Sequence, residues 1–487
     1  MLGSLDYRSA LQGRCCLYLF AGFTFVFACV FLIREAYILW KASPVLPGNT
    51  AGDLSWQERP LPQALPPLYF AYHDAEERLS QQDWTRTSPA EHEKFFFVAG
   101  HTRALGWGNA VQEHILNSYL AYKAGRSFVF GNFTWNDDGS WYSDYEQTGK
   151  IIPSQIPYSV LLRGPLVGER FPAGDNAPLA VTWDYFDHVC PEKRELRRDE
   201  VHASLSSPNS VAEITEKWSS ILSTLDDPCV QSDKESGPIY SHHDIWGVRS
   251  SLLDVWDDLK RSPMLTQFGW SRLVELAFDV NRELFMPTHA PQPYLSSTAF
   301  TSNAERYTPI PGLMVIHVRR GDYASHCHTL AMWSEDFVSV NAFPGMRDPF
   351  TVPAHDDYGW GHNSPANVEA YRQRCLPTVD EIAAKVAAVR AEPAARGVRR
   401  LYIMTNGRPA YIAELKRALE RVAEWDAIAS SRDLVLNWEQ RHVSHAVDLL
   451  VAQRAQVLVG NGFSTLTSNA VMMRLANGFP TDSIWFW

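Results

Sequence analysis

Across the last third of the chain, short apolar runs alternate with helical patterns, and this alternation limits the possible folds more than any other feature of the sequence. Residues 313–318, 401–404, 434–436, 456–459 and 483–486 read as strands, being apolar, short and bounded by turn residues. Between them, Thr378-Val379-Asp380-Glu381 is a capping box that opens a helix with Ile382, Val386 and Val389 on its apolar face. Pro409 suits the first turn of a second helix, lined by Ile412, Leu415, Leu419 and Val422. Two more helices are predicted over 442–455 and 465–477, the second stopped by Gly478. Strand, helix and strand in succession form the unit of a parallel sheet, so the pattern predicts an α/β fold with a doubly wound sheet.

Such a sheet has its ligand crevice beyond the carboxyl ends of its strands. The unusual polar residues fall there. Strand 313–318 runs into His317-Val318-Arg319-Arg320-Gly321-Asp322-Tyr323 and strand 401–404 into Thr405-Asn406-Gly407. Strand 456–459 ends at Gly460-Asn461-Gly462, with Ser464 and Thr465 where the next helix starts. A guanidinium pair, glycine-rich backbone and a hydroxyl-bearing helix amino terminus together make a phosphate site. Arg forks bind phosphate oxygens bidentately, and free N–H groups and the helix dipole favour anions.

The preceding half is less legible. Folded sequence is expected from Glu93: an apolar run at 95–99, the turn Gly106-Trp107-Gly108-Asn109, a helical pattern over 110–124 stopped by Gly125, and a second apolar run at 127–130. Between 140 and 300 the signal weakens, the clearest helical stretch being 265–285.

The His-x-Arg-Arg-Gly-Asp-Tyr block, Asp448-Leu449-Leu450 and the closing Gly-Asn-Gly-Phe-Ser-Thr-Leu-Thr-Ser-Asn of 460–469 resemble the nucleotide-sugar half of the GDP-fucose-dependent fucosyltransferase superfamily, especially its O-fucosyltransferase-like and α1,2/α1,6 branches. Gly106, Gly108 and Asn109 look like that superfamily's glycine-rich turn. The resemblance implies a GT-B-like pair of Rossmann-type domains, 93–305 on the acceptor side and 306–487 for the nucleotide sugar. It implies that Arg319 contacts the β-phosphate of GDP-fucose and that His317, Asp448, Ser464 and Thr465 frame GDP. Arg320, Asn406 and Asn461 line the same crevice, and Asp322 is a candidate for orienting the substrate. It further implies an inverting transfer of fucose, with no metal and no cofactor, to a glycan or protein acceptor. The alternative is a catalytically silent relative that binds a glycan or a protein partner through the same fold.

Residues 15–33 carry no charge and are bounded by Arg14 and by Arg34 and Glu35. Nineteen helical residues span roughly 28 Å, which matches a bilayer core, and the run exceeds a signal-peptide core with no small-residue cleavage pattern before Arg34. We expect a cytosolic tail over 1–14, a retained membrane anchor over 15–33, and a proline-rich stem over 34–92. The body is then lumenal, in a Golgi or ER membrane, since a short span suits the thinner early secretory membranes. Four of seven cysteines lie outside the anchor. Cys190 and Cys229 flank a segment of one half and Cys327 and Cys375 bracket an insertion in the other, so pairing within each half is expected.

Charge excludes other classes. Lys and Arg total 44 against 55 Asp and Glu, a net charge of -11, which would repel nucleic acid. The His326-Cys327-His328 run with His355 and His362 matches no structural zinc spacing. The sequon Asn132-Phe133-Thr134 fits a lumenal surface. Asn132 should therefore carry an N-glycan, and enzymatic deglycosylation that leaves gel mobility unchanged would count against lumenal use of this site.

Overall fold

Alternation of buried strands with amphipathic helices produces two five-stranded sheets in a computed structural model that describes residues 65–206, 210–247, 252–287, 292–321, 323–354 and 361–487. The strands of these two sheets are numbered here in chain order. The first contains β1 (Phe95–Val98), β2 (Ser127–Phe130), β3 (Val181–Thr182), β4 (Arg194–Leu196) and β5 (Cys229–Ser232), in the order β3-β2-β1-β5-β4. The second contains β6 (Ile310–Val318), β7 (Arg400–Thr405), β8 (Ala427–Ser430), β9 (Ala455–Gly460) and β10 (Ile484–Phe486), in the order β8-β7-β6-β9-β10. Every pairing in both sheets is parallel. The α/β fold with parallel sheets is thus as the alternation predicts.

Six helices position the features described below: α1 (Trp107–Lys123), α2 (Tyr323–Met332), α3 (Val379–Arg390), α4 (Pro409–Glu420), α5 (Ser444–Arg454) and α6 (Thr465–Ala476). Period-two alternation along β6 sends Met314, Ile316 and Val318 into a core with Ile382, Val386 and Val389 of α3 and Leu415 and Leu419 of α4. Leu313 and Val315 enter a larger core with α5 and α6, and that core continues into the first half through Val111, Ile115 and Leu120 of α1. The Thr378 capping box is formed as read, its hydroxyl accepting from Glu381 N and the Glu381 carboxylate from Thr378 N.

Three local expectations differ. The third strand of the second sheet is Ala427–Ser430 and not 434–436. A capping box between Ser430 and Asp433 ends the strand early, and Val435 N instead donates to Asn281 Oδ1 while its carbonyl accepts from Asn281 Nδ2, with Val435 71% exposed. The 265–285 stretch is interrupted: Gly269–Trp270 pairs antiparallel with Leu162–Arg163, and Ser271 then caps a helix at Arg272–Val280. The body also begins before Glu93. Within the predicted stem, Pro66, Pro67 and Tyr69 are buried, Phe70–Glu77 is helical, and Gln82 accepts from Thr182 N at 2.7 Å. Pro66 and Pro67 therefore belong to the packed body, and the part of the predicted stem before residue 65 lies outside the described residues. The predicted anchor lies outside the described residues, among which no helix is long and apolar enough to cross a membrane. The disulfides are Cys190–Cys229 and Cys327–Cys375, the pairing expected.

Two buried arginines hold the sheets through backbone carbonyls. Arg126 donates to the carbonyls of Leu222, Leu225, Asp227 and Phe95, closing the start of β1 and β2 over the loop that leads into β5. Arg474 of α6 is 0% exposed and donates to the carbonyls of Ala452, Gln453, Ala455, Gln456 and Ser483 and to Ser483 Oγ. It thereby joins the end of α5, the start of β9 and the approach to β10. Replacement by an apolar residue orphans several buried carbonyls at about 1–3 kcal/mol each. Arg474→Met should cost at least about 3 kcal/mol in urea unfolding, whereas Arg417→Met on the exposed face of α4 should stay within about 0.5 kcal/mol.

Candidate anion-binding active site

The strand order of the second sheet reverses between β6 and β9, which places α3 and α4 on one face and α5 and α6 on the other. Loops leaving a sheet at such a switch point diverge and leave a crevice. Here those loops include residues 319–321 after β6 and 461–464 after β9.

His317 closes one wall. Its side chain lies on the α6 face, 3% exposed, with Nδ1 2.7 Å from Thr467 Oγ1. The same hydroxyl oxygen accepts from Asn461 N at 3.1 Å, and with the Thr467 proton given to Nδ1 the imidazole hydrogen sits on Nε2. Burial, with the Arg319 charge adding, lowers the His317 pKa to about 3, so the ring is neutral at physiological pH. Its carbonyl accepts from Trp487 Nε1 at 2.9 Å.

The two arginines part company. Arg320 follows the Val318 side: its guanidinium lies 4.6 Å over the Tyr411 ring of α4 and donates to the carbonyls of Arg319 and Pro377. The Asn406 side chain locks the same residue from both sides, accepting Arg320 N and donating to Arg320 O, each at 2.8 Å. Arg319 keeps to the His317 side. Its guanidinium is 5.8 Å from the centre of the Tyr323 ring, and its charge acts on both His317 and His445. His445, at the start of α5, is lowered to about 3 by burial, with Lys150 and Arg319 contributing. Its ring packs 4.3 Å from that of Trp107, in the first turn of α1. Asp322 lies outside the described residues.

The other walls are two helix amino termini. Ser464 caps α6, its Oγ accepting from Leu466 N, and Asn461 shapes the loop before it by donating to Cys375 O and accepting from Phe463 N. A Cβ on Gly460 would stand 2.2 Å from Thr467 Cγ2, so only glycine lets β9 meet α6 this closely. Gly106 is the residue preceding α1, and Asn109 sits half-buried in its first turn. The two termini meet at Gly108, where a Cβ would stand 3.0 Å from Thr465 Oγ1 and 3.4 Å from Leu466 N. Hydrogen bonds stitch the seam: Asn469 donates to Gly108 O at 2.9 Å and Gln112 to Ser468 Oγ at 2.9 Å.

Asp448 stands at the β7–β8 end of the row. It is 7% exposed, accepting from Tyr402 OH at 2.6 Å and Ser431 Oγ at 2.9 Å. Burial raises its pKa to about 7 against the pull of those two donors and of Arg432. Arg432 itself reaches Asn406 O. Asn132 is elsewhere, half-buried in a two-stranded ladder with its amide on Gln155. Among the described residues no group of three or more His, Cys, Asp or Glu is placed to hold a metal ion. Sequence reading missed Thr467, Gln112 and His445. Thr467 could have been found as the hydroxyl one helical position beyond Leu466, whereas His445 meets Trp107 only because two distant segments pack together.

A scan against protein-family models finds no match, and none of the curated proteins matches by sequence. Solved structures do. The apo crystal structure of POFUT1 aligns over 82% of this chain and 99% of its own, with 14% identity and a TM-score of 0.47. A POFUT1 complex with GDP-fucose aligns over the same shares with 13% identity and a TM-score of 0.47. A mutant of Arabidopsis thaliana FUT1 in complex with GDP aligns over 83% of this chain and 73% of its own, with 10% identity and a TM-score of 0.32.

The seam gives a direct test. Gly108→Val forces the two helix termini apart, and overpacking should lower stability by about 1–3 kcal/mol in urea unfolding. Gly106→Ala, whose Cβ would meet nothing within 4 Å, should leave stability within about 0.5 kcal/mol of wild type.

Proposed function

We propose that the protein transfers fucose from GDP-fucose to a glycan or protein hydroxyl. One observation carries this reading: the amino termini of α1 and α6 meet at Gly108 and Thr465, beside a strand end that commits Arg320 to the fold and directs Arg319 to the opposite side. Two helix termini and one guanidinium suit a diphosphate, and the sequence blocks that form them are those resembling the nucleotide-sugar half of GDP-fucose-dependent fucosyltransferases.

Transfer breaks the bond between the anomeric carbon and a phosphate oxygen. Negative charge grows on the leaving diphosphate while the sugar becomes oxocarbenium-like, so a fixed cation and fixed N–H groups at that oxygen act more strongly in the transition state than in the ground state. Arg319 supplies the full charge and the planar fork, and Ser464 and Thr465 supply the hydroxyls and helix terminus. Neutral His317 offers a donor without adding a second charge beside Arg319. Attack by the acceptor hydroxyl opposite the departing phosphate inverts the anomeric carbon. We place the acceptor on the 93–305 side and the donor on the 306–487 side, with no metal or cofactor required. The body is lumenal and held by a single N-terminal span in a Golgi or ER membrane, a compartment suited to the two disulfides.

Arg319→Lys keeps the charge and loses the fork, so fucose transfer should fall by at least about a hundredfold, as on loss of one placed transition-state donor. Arg320→Lys should cost much less in transfer and act chiefly on stability, and EDTA should leave activity intact. Equal losses in the two variants would overturn the assignment of Arg319. GDP-fucose binding by calorimetry without hydrolysis or transfer would favour the silent binding protein.

A further inference from the structure

Away from the crevice, α1 and the carboxyl ends of β1 and β2 line a second cavity of about 30 Å³, room for a water molecule. Three buried side-chain atoms of residues lining it have no hydrogen-bond partner in the protein: Glu113 Oε1, Asn117 Oδ1 and His101 Nε2. Glu113 and Asn117 are each 3% exposed. Leaving three such atoms dry would cost about 1–3 kcal/mol apiece.

All three are acceptors. His101 Nδ1 lies 3.1 Å from Val98 O, and because a carbonyl can only accept, the imidazole hydrogen sits on Nδ1 and leaves Nε2 bare. One water molecule brings two hydrogens, one fewer than the acceptors require. The missing hydrogen has a source in the cluster, the acid proton of Glu113. The other carboxyl oxygen of Glu113 accepts Thr102 N at 2.7 Å, which ties α1 to the 99–106 loop that leads into the Gly106 turn.

We propose that this cavity is a built site for one ordered water together with a proton on Glu113, and that the hydrated acid is a positioning element fixing the loop after β1. The surrounding charges agree with that proton count. Burial raises the Glu113 pKa to about 7, against the hydrogen bond from Thr102 and the nearby Arg103 charge. Burial and Arg103 lower His101 to about 4, with Asp137 opposing and Lys234 adding, while His114, stacked 3.9 Å from Tyr158 and bonded to Leu166 O, is lowered to about 4 by burial. Below about pH 7 the acid therefore holds the proton and both imidazoles are neutral down to about pH 4.

The sign of the pH effect follows. With a folded pKa of about 7 against 4.5 for an unperturbed Glu, the native state keeps a proton that the unfolded chain has released, so this contribution is complete below pH 4.5 and is lost as pH rises towards 7. Glu113→Gln replaces the acid O–H with a permanent N–H donor and keeps an oxygen for Thr102 N. In the full-length protein, the ratio of wild-type to Glu113→Gln unfolding constants should climb by up to about tenfold per pH unit between pH 5 and 7 and level off above pH 8. Hydrogen exchange over residues 99–106 at pH 6 should be the same in wild type and Glu113→Gln and at least about tenfold faster in Glu113→Ala. A crystal structure at pH 6 should show one water in the cavity. A ratio that stays flat from pH 5 to 8, a dry cavity, or density that changes when sodium is exchanged for ammonium would overturn the proposal.

Discussion

The candidate site depends on bringing two helix amino termini together at Gly108 and Thr465. Each terminus carries about half a positive charge and unsatisfied N–H groups, so their approach is electrostatically unfavourable until an anion lies between them. The structure offsets that cost with neutral hydrogen bonds just behind the termini, Asn469 to Gly108 O and Gln112 to Ser468, and with the buried ring contact of Trp107 on His445. No carboxylate takes part in these contacts. An Asp or Glu there would satisfy the N–H groups itself and compete with the ligand.

The same economy of charge recurs around it. His317 and His445 are buried as neutral rings next to Arg319, and Asp448 has its ionised form disfavoured by burial. The chain's net charge of -11 would repel an anionic ligand over long distances, so a favourable local field must come from Arg319, Lys150 and the two backbone termini. Arg474 and Arg126 belong to a different class: they donate chiefly to backbone carbonyls and hold strand and helix ends in place.

How much of this was legible in the sequence varied with the range of the interaction responsible. Strands β6, β7, β9 and β10 and helices α3, α4 and α6 follow from local periodicity and caps, and their loops carry the residues singled out from sequence. Strand β8 was misplaced because Leu434 and Leu436 look strand-like by alternation, whereas the Ser430–Asp433 capping box had already closed the strand. The predicted stem over-reached for a related reason: Pro66 and Pro67 look like spacer residues in composition, but their burial depends on segments far along the chain. The split between Arg319 and Arg320 was expected from strand alternation. That Asn406 and Pro377 would secure the second arginine was not, since no spacing announces a contact between loops 57 or 86 residues apart.

The Cys327–Cys375 bridge lies away from the helix termini, yet it reaches them through one carbonyl. Cys375 O accepts Asn461 Nδ2, and Asn461 shapes the turn from which Ser464 caps α6. Thiol oxidation in the insertion is therefore mechanically continuous with the geometry of the anion-binding end. With the bridge reduced, the turn that carries Ser464 would lose its covalent abutment and keep only the hydrogen bond between Asn461 and Cys375 O.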